Sequence, residues 1–366
     1  MKNNFKNILH ISPDFNYCCG VSKYVFTILK NFSESDSYKL FFITNGGDAL
    51  DKLEEIGVEP YILQFSRGWK NILNLLPNLN TLKNFCIRNH IDIIHTHHRY
   101  PEYMAHLVSK KIKIKTITTV HSLVKGKNKF SFKSDKLIAV SKAVEKMLSE
   151  NYHVPANKIT MLYNSIEPLN VLQEESIEGL RNKYNISSKA KIILFLGRIT
   201  KLKGIDILID VFNKIQTETD DLILLIVGQI YDNSLKNTLE TLHPNIKLIN
   251  PVKNPGSFYF AADIVILPSR GESLPYVMLE SGLFKKPFIG SNTGGIAEFI
   301  EDGVNGLLFE PENVYELADK IKYILNNPEE AKTLGENLYL KVKENISNDK
   351  YCETLSEIYD NLILEK

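Results

Sequence analysis

Glu272 and Glu280 stand eight residues apart in the run PSRGESLPYVMLESGLF. The first lies in a loop after the apolar stretch DIVILP (263–268), the second inside a helix pattern that begins near Pro275. Proline suits the first helical turn, where its missing N–H would have had no partner anyway. The N–H groups of Tyr276, Val277 and Met278, backed by the positive end of the helix dipole, then form an anion site suited to a diphosphate. Carboxylates at two depths beside it can accept hydrogen bonds, one from sugar hydroxyls and the other from a ribose diol. A lone Glu in such a loop is more simply a solvated or capping carboxylate, so the weight rests on the group.

A pair of cations, Arg198 and Lys203, follows KIILFLG (191–197) in FLGRITKLKGIDILI. Two permanent charges at a strand tip suit a pyrophosphate that gains negative charge as a bond to it breaks. The helix dipole disfavours cations at a helix start, which counts against an accidental pair. Gly204 lets the backbone turn tightly. His95, His97 and His98 in DIIHTHHRY, with His106 nearby, invite a zinc reading. On a strand His95 and His97 share a face. A catalytic zinc needs three ligands and an open position, and the third would have to be His98 or His121. The favoured reading is no metal, with His97, His98 and Arg99 at a strand end where an acceptor or a sugar is met. The chain has no Asp-x-Asp string, in keeping with a metal-free site.

Short β-branched runs alternate with helical patterns, as in βαβ units built on parallel sheets. Strands are expected at 7–12, 39–44, 59–63, 92–97, 115–121 and 136–141, then at 191–197, 221–228, 245–250, 263–268 and 286–291. Val21, Tyr24, Val25, Ile28, Leu29 and Phe32 keep helical spacing after Gly20, and further helices are expected at 204–217, 276–284, 314–326 and 349–364. The length of 366 residues exceeds one ordinary core. The expectation is an α/β chain of two Rossmann-like domains, 1–168 and 185–345, their parallel sheets facing a central cleft. The helix 349–364 would pack back on the first. Ligands of such sheets bind beyond the carboxyl ends of the strands.

A composition of 43% hydrophobic and 24% charged residues excludes disordered and membrane-spanning classes. The net charge of +1 hides an asymmetry: residues 1–168 hold 23 Lys+Arg against 14 Asp+Glu, the remainder 21 against 29. The lysines at 110, 111, 113, 115, 125, 127, 129, 133 and 136 carry much of it. They read equally as a solvated face or as attraction to an anionic membrane surface. Without an interleaved aromatic stripe or a reading helix, nucleic acid is not an expected partner. Four cysteines without a CxxC, and a start without a secretory h-region, fit a cytoplasmic protein. Trp69 sits in an apolar run that is either core or a membrane-surface element.

Taken together, the two charged segments resemble glycosyltransferase family 4, retaining transferases of the GT-B fold, over most of the chain. Glu272 to Glu280 matches the family's Glu-x7-Glu motif, and Arg198 and Lys203 its GR-x-KG-like segment. NSI (164–166) is similar to its NG turn with Ser165 in place of Gly, and IAVSKAV (138–144) and TGGIAEFIEDGVNGLLF (293–309) fall in the family's order. The resemblance implies a nucleotide-diphosphate sugar as donor, a glycan or lipid-linked acceptor, no metal and no cofactor. It implies that Arg198 and Lys203 hold the diphosphate, Glu280 the ribose and Glu272 the sugar, with Ser273, Leu274, Pro275 and Tyr276 lining the donor. Gly20 would face the phosphates, Gly228 and Val252 the base, and His121 the reacting face of the sugar. Cys18-Cys19-Gly20 departs from the family's Gly-Gly, and NPVKN from its LG-x-V string. A sugar-nucleotide epimerase and a non-catalytic partner subunit are the alternatives.

Overall fold

The structure, a computed structural model, describes residues 5–65, 74–126, 128–167, 177–218 and 221–365. Trp69 and Lys127 lie outside the described residues. The chain divides into two compact units, Met1–Ser165 with Ser347–Lys366, and Ile166–Ile346.

The first unit holds β1 (Lys6–Ile11), β2 (Tyr38–Thr44), β3 (Pro60–Ile62), β4 (Ile93–Thr96), β5 (Lys115–Val120), β6 (Lys136–Ala139) and β7 (Ile159–Met161). They form one sheet in the order β3-β2-β1-β4-β5-β6-β7, every pairing parallel. Helix Gly20–Ser33 follows β1 and buries Tyr24, Val25, Ile28, Leu29 and Phe32, the face its spacing predicts. The last helix, Asn348–Leu364, belongs to this unit. It buries Tyr351, Leu355, Ile358, Tyr359 and Leu362. Asp360 pairs with Lys6 of β1, and Ser356 Oγ lies 2.5 Å from the Tyr38 hydroxyl of β2.

The second unit holds β8 (Lys191–Leu196), β9 (Leu222–Val227), β10 (Ile246–Ile249), β11 (Ile264–Leu267), β12 (Phe288–Ser291) and β13 (Leu307–Phe309). Their order is β10-β9-β8-β11-β12-β13, again parallel throughout. Strand β9 reads LILLIV with every residue buried, the unbroken apolar run of a parallel strand covered on both faces. Helix Ile205–Ile215 buries seven of its eleven residues. Each such aliphatic side chain contributes roughly 1.5–3 kcal/mol by leaving water.

Helix Pro328–Asn345 is not among the expected elements. Its buried stripe is only Leu334, Leu338 and Val342 with Gly335, too narrow to stand out among charged neighbours. Both strand orders reverse direction beside the first strand of the unit, between β1 and β4 and between β8 and β11. Loops leaving adjacent strands at such a switch point diverge to opposite faces and open a crevice.

Candidate functional site

In the second unit the crevice is made by loop 197–204 after β8 and loop 268–275 after β11. The two loops interlock. Arg270 N–H donates to Leu202 O at 2.8 Å. Gly204 adopts φ +70, and a Cβ there would stand 1.8 Å from Pro268 O, so only glycine lets the loops touch. The Thr200 hydroxyl accepts from Lys203 N–H at 3.3 Å and fixes the turn. Lys203 is thereby aimed at Glu272, and the two form an ion pair. Ser269 Oγ donates to the same carboxylate oxygen at 2.8 Å. With 17% and 9% exposure this pair is shielded, unlike a surface ion pair.

Arg198 is exposed and, among the described residues, forms no ion pair. The expectation therefore finds one free cation and one already held by the carboxylate. Arg270, which no sequence pattern marks, braces the loop. It makes bonds of 2.8 and 3.0 Å to Asp206 and a 3.0 Å bond to Glu312 Oε2.

Helix Tyr276–Leu283 starts at the expected residue, with Pro275 as its N-cap. The Met278 N–H turns back to Pro275 O at 3.2 Å, so it does not belong to the anion-facing set. Ser273, Leu274 and Tyr276 line the loop with 5–9% exposure. Gly295 N–H donates to Glu272 O at 3.0 Å, bringing the 293–295 turn onto the same loop. A Cβ on Gly295 would lie 1.5 Å from Ser273 O. Glu280 lies deeper than a groove-facing carboxylate, at 1% exposure, and accepts from Tyr259 OH at 2.6 Å. Burial and that carboxylate push the Tyr259 phenol well above its usual range. Gly228 closes β9 with its N–H on Ile249 O at 3.0 Å. Val252 sits half-buried in the loop after β10.

In the first unit Gly20 opens its helix behind Cys19, an N-cap without a side-chain hydrogen bond. Neither Cys18 nor Cys19 is in a disulfide. His121 follows β5, its ring edge-on to Tyr24 with centroids 4.5 Å apart. The expected acceptor residues are placed differently. His97 is 2% exposed, because the face it shares with His95 points inward, toward Tyr24 and Tyr359. Arg99 is occupied: it donates to Ser131 Oγ at 3.0 Å, Lys125 O at 3.3 Å and Gly126 O at 2.5 Å. It holds a loop, as does buried Glu102, which accepts from Phe132 and Ser134 N–H. His98 is the N-cap of helix Arg99–Ile112 and is half-buried. His10, unnoticed in sequence, pairs in register with His95 and is fully buried. Burial lowers the His10 and His121 rings to about 3 and holds His95 and His97 well below the usual range.

Residues 19–168 match the family described as Glycosyltransferase Family 4, and residues 176–341 match Glycosyl transferases group 1. The chain belongs to the family 4, group 1 glycosyltransferases, and its two Rossmann-like units are those of the GT-B fold. An uncharacterised glycosyltransferase of Methanocaldococcus jannaschii is 27% identical over 369 residues, 97% of this chain and 98% of the relative. The O-antigen biosynthesis glycosyltransferase WclY of Escherichia coli is 25% identical over 371 residues, 95% of this chain and 96% of the relative. Among solved structures, Anabaena HepE in complex with UDP-glucose shares the fold with a TM-score of 0.84 at 17% identity, covering 97% and 99% of the two chains.

Proposed function

We propose that this chain transfers a hexose or N-acetylhexosamine from a UDP- or GDP-sugar, with retention, to a glycan or lipid-linked acceptor in surface polysaccharide biosynthesis. The observation that carries the reading is the second unit's switch point, where free Arg198 and the Lys203–Glu272 pair accompany the start of helix Tyr276–Leu283. WclY's role in O-antigen biosynthesis and HepE's bound UDP-glucose support the acceptor class and the uridine donor.

As the sugar leaves the diphosphate, negative charge grows on the departing oxygen. Arg198, Lys203 and the helix start are assigned to that charge, with Gly20 at the phosphates from the first unit. Lys203 must then share itself between Glu272 and phosphate, and the Ser269 bond keeps Glu272 in place for the sugar hydroxyls. Glu280, oriented by Tyr259, is assigned the ribose, Gly228 and Val252 the base, and His121 the sugar's reacting face. A double-displacement route needs a carboxylate about 5 Å from its partner across the anomeric carbon, and no first-unit carboxylate is assigned that place. The leaving diphosphate instead takes the acceptor proton on the same face. Two cations and a helix terminus neutralise the phosphates without a metal ion or other cofactor.

The test is release of nucleoside diphosphate from a panel of sugar nucleotides in EDTA, by wild type and Glu272→Ala. Release from one donor, lost in the variant, is expected. Dependence on an added divalent ion would remove the metal-free assignment, conversion of the donor to an isomeric sugar without net release of nucleoside diphosphate would mean an epimerase, and no turnover at all a non-catalytic partner.

The same reading places the chain in the cytoplasm, peripheral at the inner membrane face. No helix among the described residues is long and apolar enough to cross a membrane. Lys110, Lys111, Lys113, Lys125, Lys129 and Lys133 are exposed, and Leu123 and Phe130 join them at 40% and 56% exposure. Each lysine near an anionic surface contributes about 1 kcal/mol. Co-sedimentation with anionic liposomes at low salt, abolished at high salt, is expected; protein left in the supernatant at low salt would refute it.

A further inference from the structure

Behind His121 the first unit carries a chain of polar groups for which the proposed function has no use. His121 Nε2 lies 3.3 Å from His97 Nδ1. His97 Nε2 lies 3.2 Å from His10 Nδ1, and His10 Nε2 3.5 Å from the Tyr359 hydroxyl, the longest link. That hydroxyl is 2.7 Å from His95 Nδ1, and His95 Nε2 is 2.8 Å from Thr119 Oγ1. Thr119 continues to Tyr24 OH at 2.9 Å, and Tyr24 to Tyr351 OH. His10, His95, His97, Thr119, Tyr24 and Tyr359 are all 0–2% exposed.

A neutral imidazole has one nitrogen that donates and one that accepts, and a hydroxyl has one proton. Across a ring the direction of one link therefore dictates the next, and across a hydroxyl it does so whenever the hydroxyl proton is given to a neighbour in the chain. If His121 Nε2–H donates inward, then His97, His10 and His95 must each carry the proton on Nε2. If His121 Nε2 accepts, all four carry it on Nδ1. Mixed states leave two donors or two lone pairs facing each other between rings, or a hydroxyl that accepts twice and gives its proton to neither neighbour, which costs about 1–3 kcal/mol per broken link. His121 enters this hydrogen-bonded series through Nε2, so its Nδ1 is the ring nitrogen at the outer end of the series.

We infer that this chain is a tautomer lock: it forces the four histidines into one common tautomer and thereby decides whether His121 Nδ1 donates or accepts. His97, His10, His95 and Tyr359 are positioning residues, and Tyr359 delivers the lock from the last helix. The inference rests on the assignment of His121 to the sugar in the proposed function.

A zinc ion is the rival occupant. Nitrogens of His10, His95 and His97 lie within 4.8 Å of one another. Every one of their nitrogens already has a partner in the chain, however, and each partner there is uncharged. A buried dication would stand without a compensating charge.

The experiment is nitrogen-15 NMR of histidine-labelled full-length wild type and Tyr359→Phe, beside steady-state kinetics with the donor found above. In wild type His10, His95, His97 and His121 should show the same tautomer. In Tyr359→Phe, His10 and His95 lose the group that couples them, and mixed tautomers should appear. There kcat should fall roughly tenfold or more, as when a group that fixes an imidazole's tautomer is removed, with KM for the donor moving less than about threefold. Different tautomers among the four in wild type, or stoichiometric zinc in the purified protein, overturn the lock, and neither result needs the variant to fold. A common tautomer in wild type that mixes in the variant, with unchanged turnover, keeps the lock and removes His121 from the donor site.

Discussion

Arg198→Ala is expected to lower kcat for sugar transfer about 100- to 1000-fold, the scale seen when one preorganised group facing a developing anion is removed. The guanidinium is exposed, and no ion pair holds it among the described residues, so its charge is available to the leaving diphosphate. Its interaction strengthens as the glycosidic bond breaks, so kcat and kcat/KM should fall together and KM should change little. For the same reason the substitution should leave folding stability within about 0.5 kcal/mol of wild type. Lys203→Ala is a less clean probe, because it also strips Glu272 of its partner and disturbs the sugar side of the site. Arg198→Lys keeps the charge but loses the planar two-pronged geometry that matches phosphate oxygens, and should recover only part of the rate. Donor turnover and urea unfolding on the three proteins decide the matter. Turnover by Arg198→Ala within about threefold of wild type would remove Arg198 from the leaving-group site.

How much of this was open to reading depends on the distance over which each feature is encoded. Strands such as β9 announce themselves because a parallel strand covered on both faces must be apolar throughout. Glu272, Arg198 and Lys203 were legible for a related reason: each lies in the loop that leaves a strand, while Glu280 lies in the helix that follows one of these loops, and their short spacings survive in one dimension. Side-chain direction did not survive. His97 and Arg99 follow β4 at the expected place, yet the His95–His97 face turns inward and Arg99 is consumed by Lys125, Gly126 and Ser131. Tyr259 and Ser269, which orient the two site carboxylates, look like any Tyr and Ser in apolar sequence. His10 did leave a signal, a polar ring in the middle of a buried strand, but its meaning required the β1–β4 register that sets it beside His95. Tyr359 comes from 264 residues beyond His95, and no local pattern points to it.

The same buried rings make acid the weak side of the first unit: lowering the pH from 6.5 to 4.5 is expected to remove on the order of 5 kcal/mol of stability through His10 and His121 alone. An unfolded histidine binds its proton near 6.5, whereas burial lowers both of these rings to about 3 in the folded chain. Above the unfolded value both states are neutral and the rings cost nothing. Between the two values the unfolded state holds a proton that the folded state refuses, and each pH unit costs ~1.4 kcal/mol per ring. Below the folded value the loss stops growing. His95 and His97 are shifted in the same direction and add to it. Against a total stability of roughly 5–15 kcal/mol, such a loss removes about a third of it at the upper end and nearly all of it at the lower. Urea titrations of the whole chain at half-unit pH steps, followed by circular dichroism, measure the slope. His10→Leu separates this cause from ordinary carboxylate titration. It should lower stability at pH 7, because a buried link is cut, yet flatten the acid slope by about one proton, because one refusing ring is gone. A wild-type stability that stays level from pH 6.5 to 4.5, or a slope unchanged in His10→Leu, would mean that these rings are hydrated and titrate normally. The neutral chain behind His121 could then not persist.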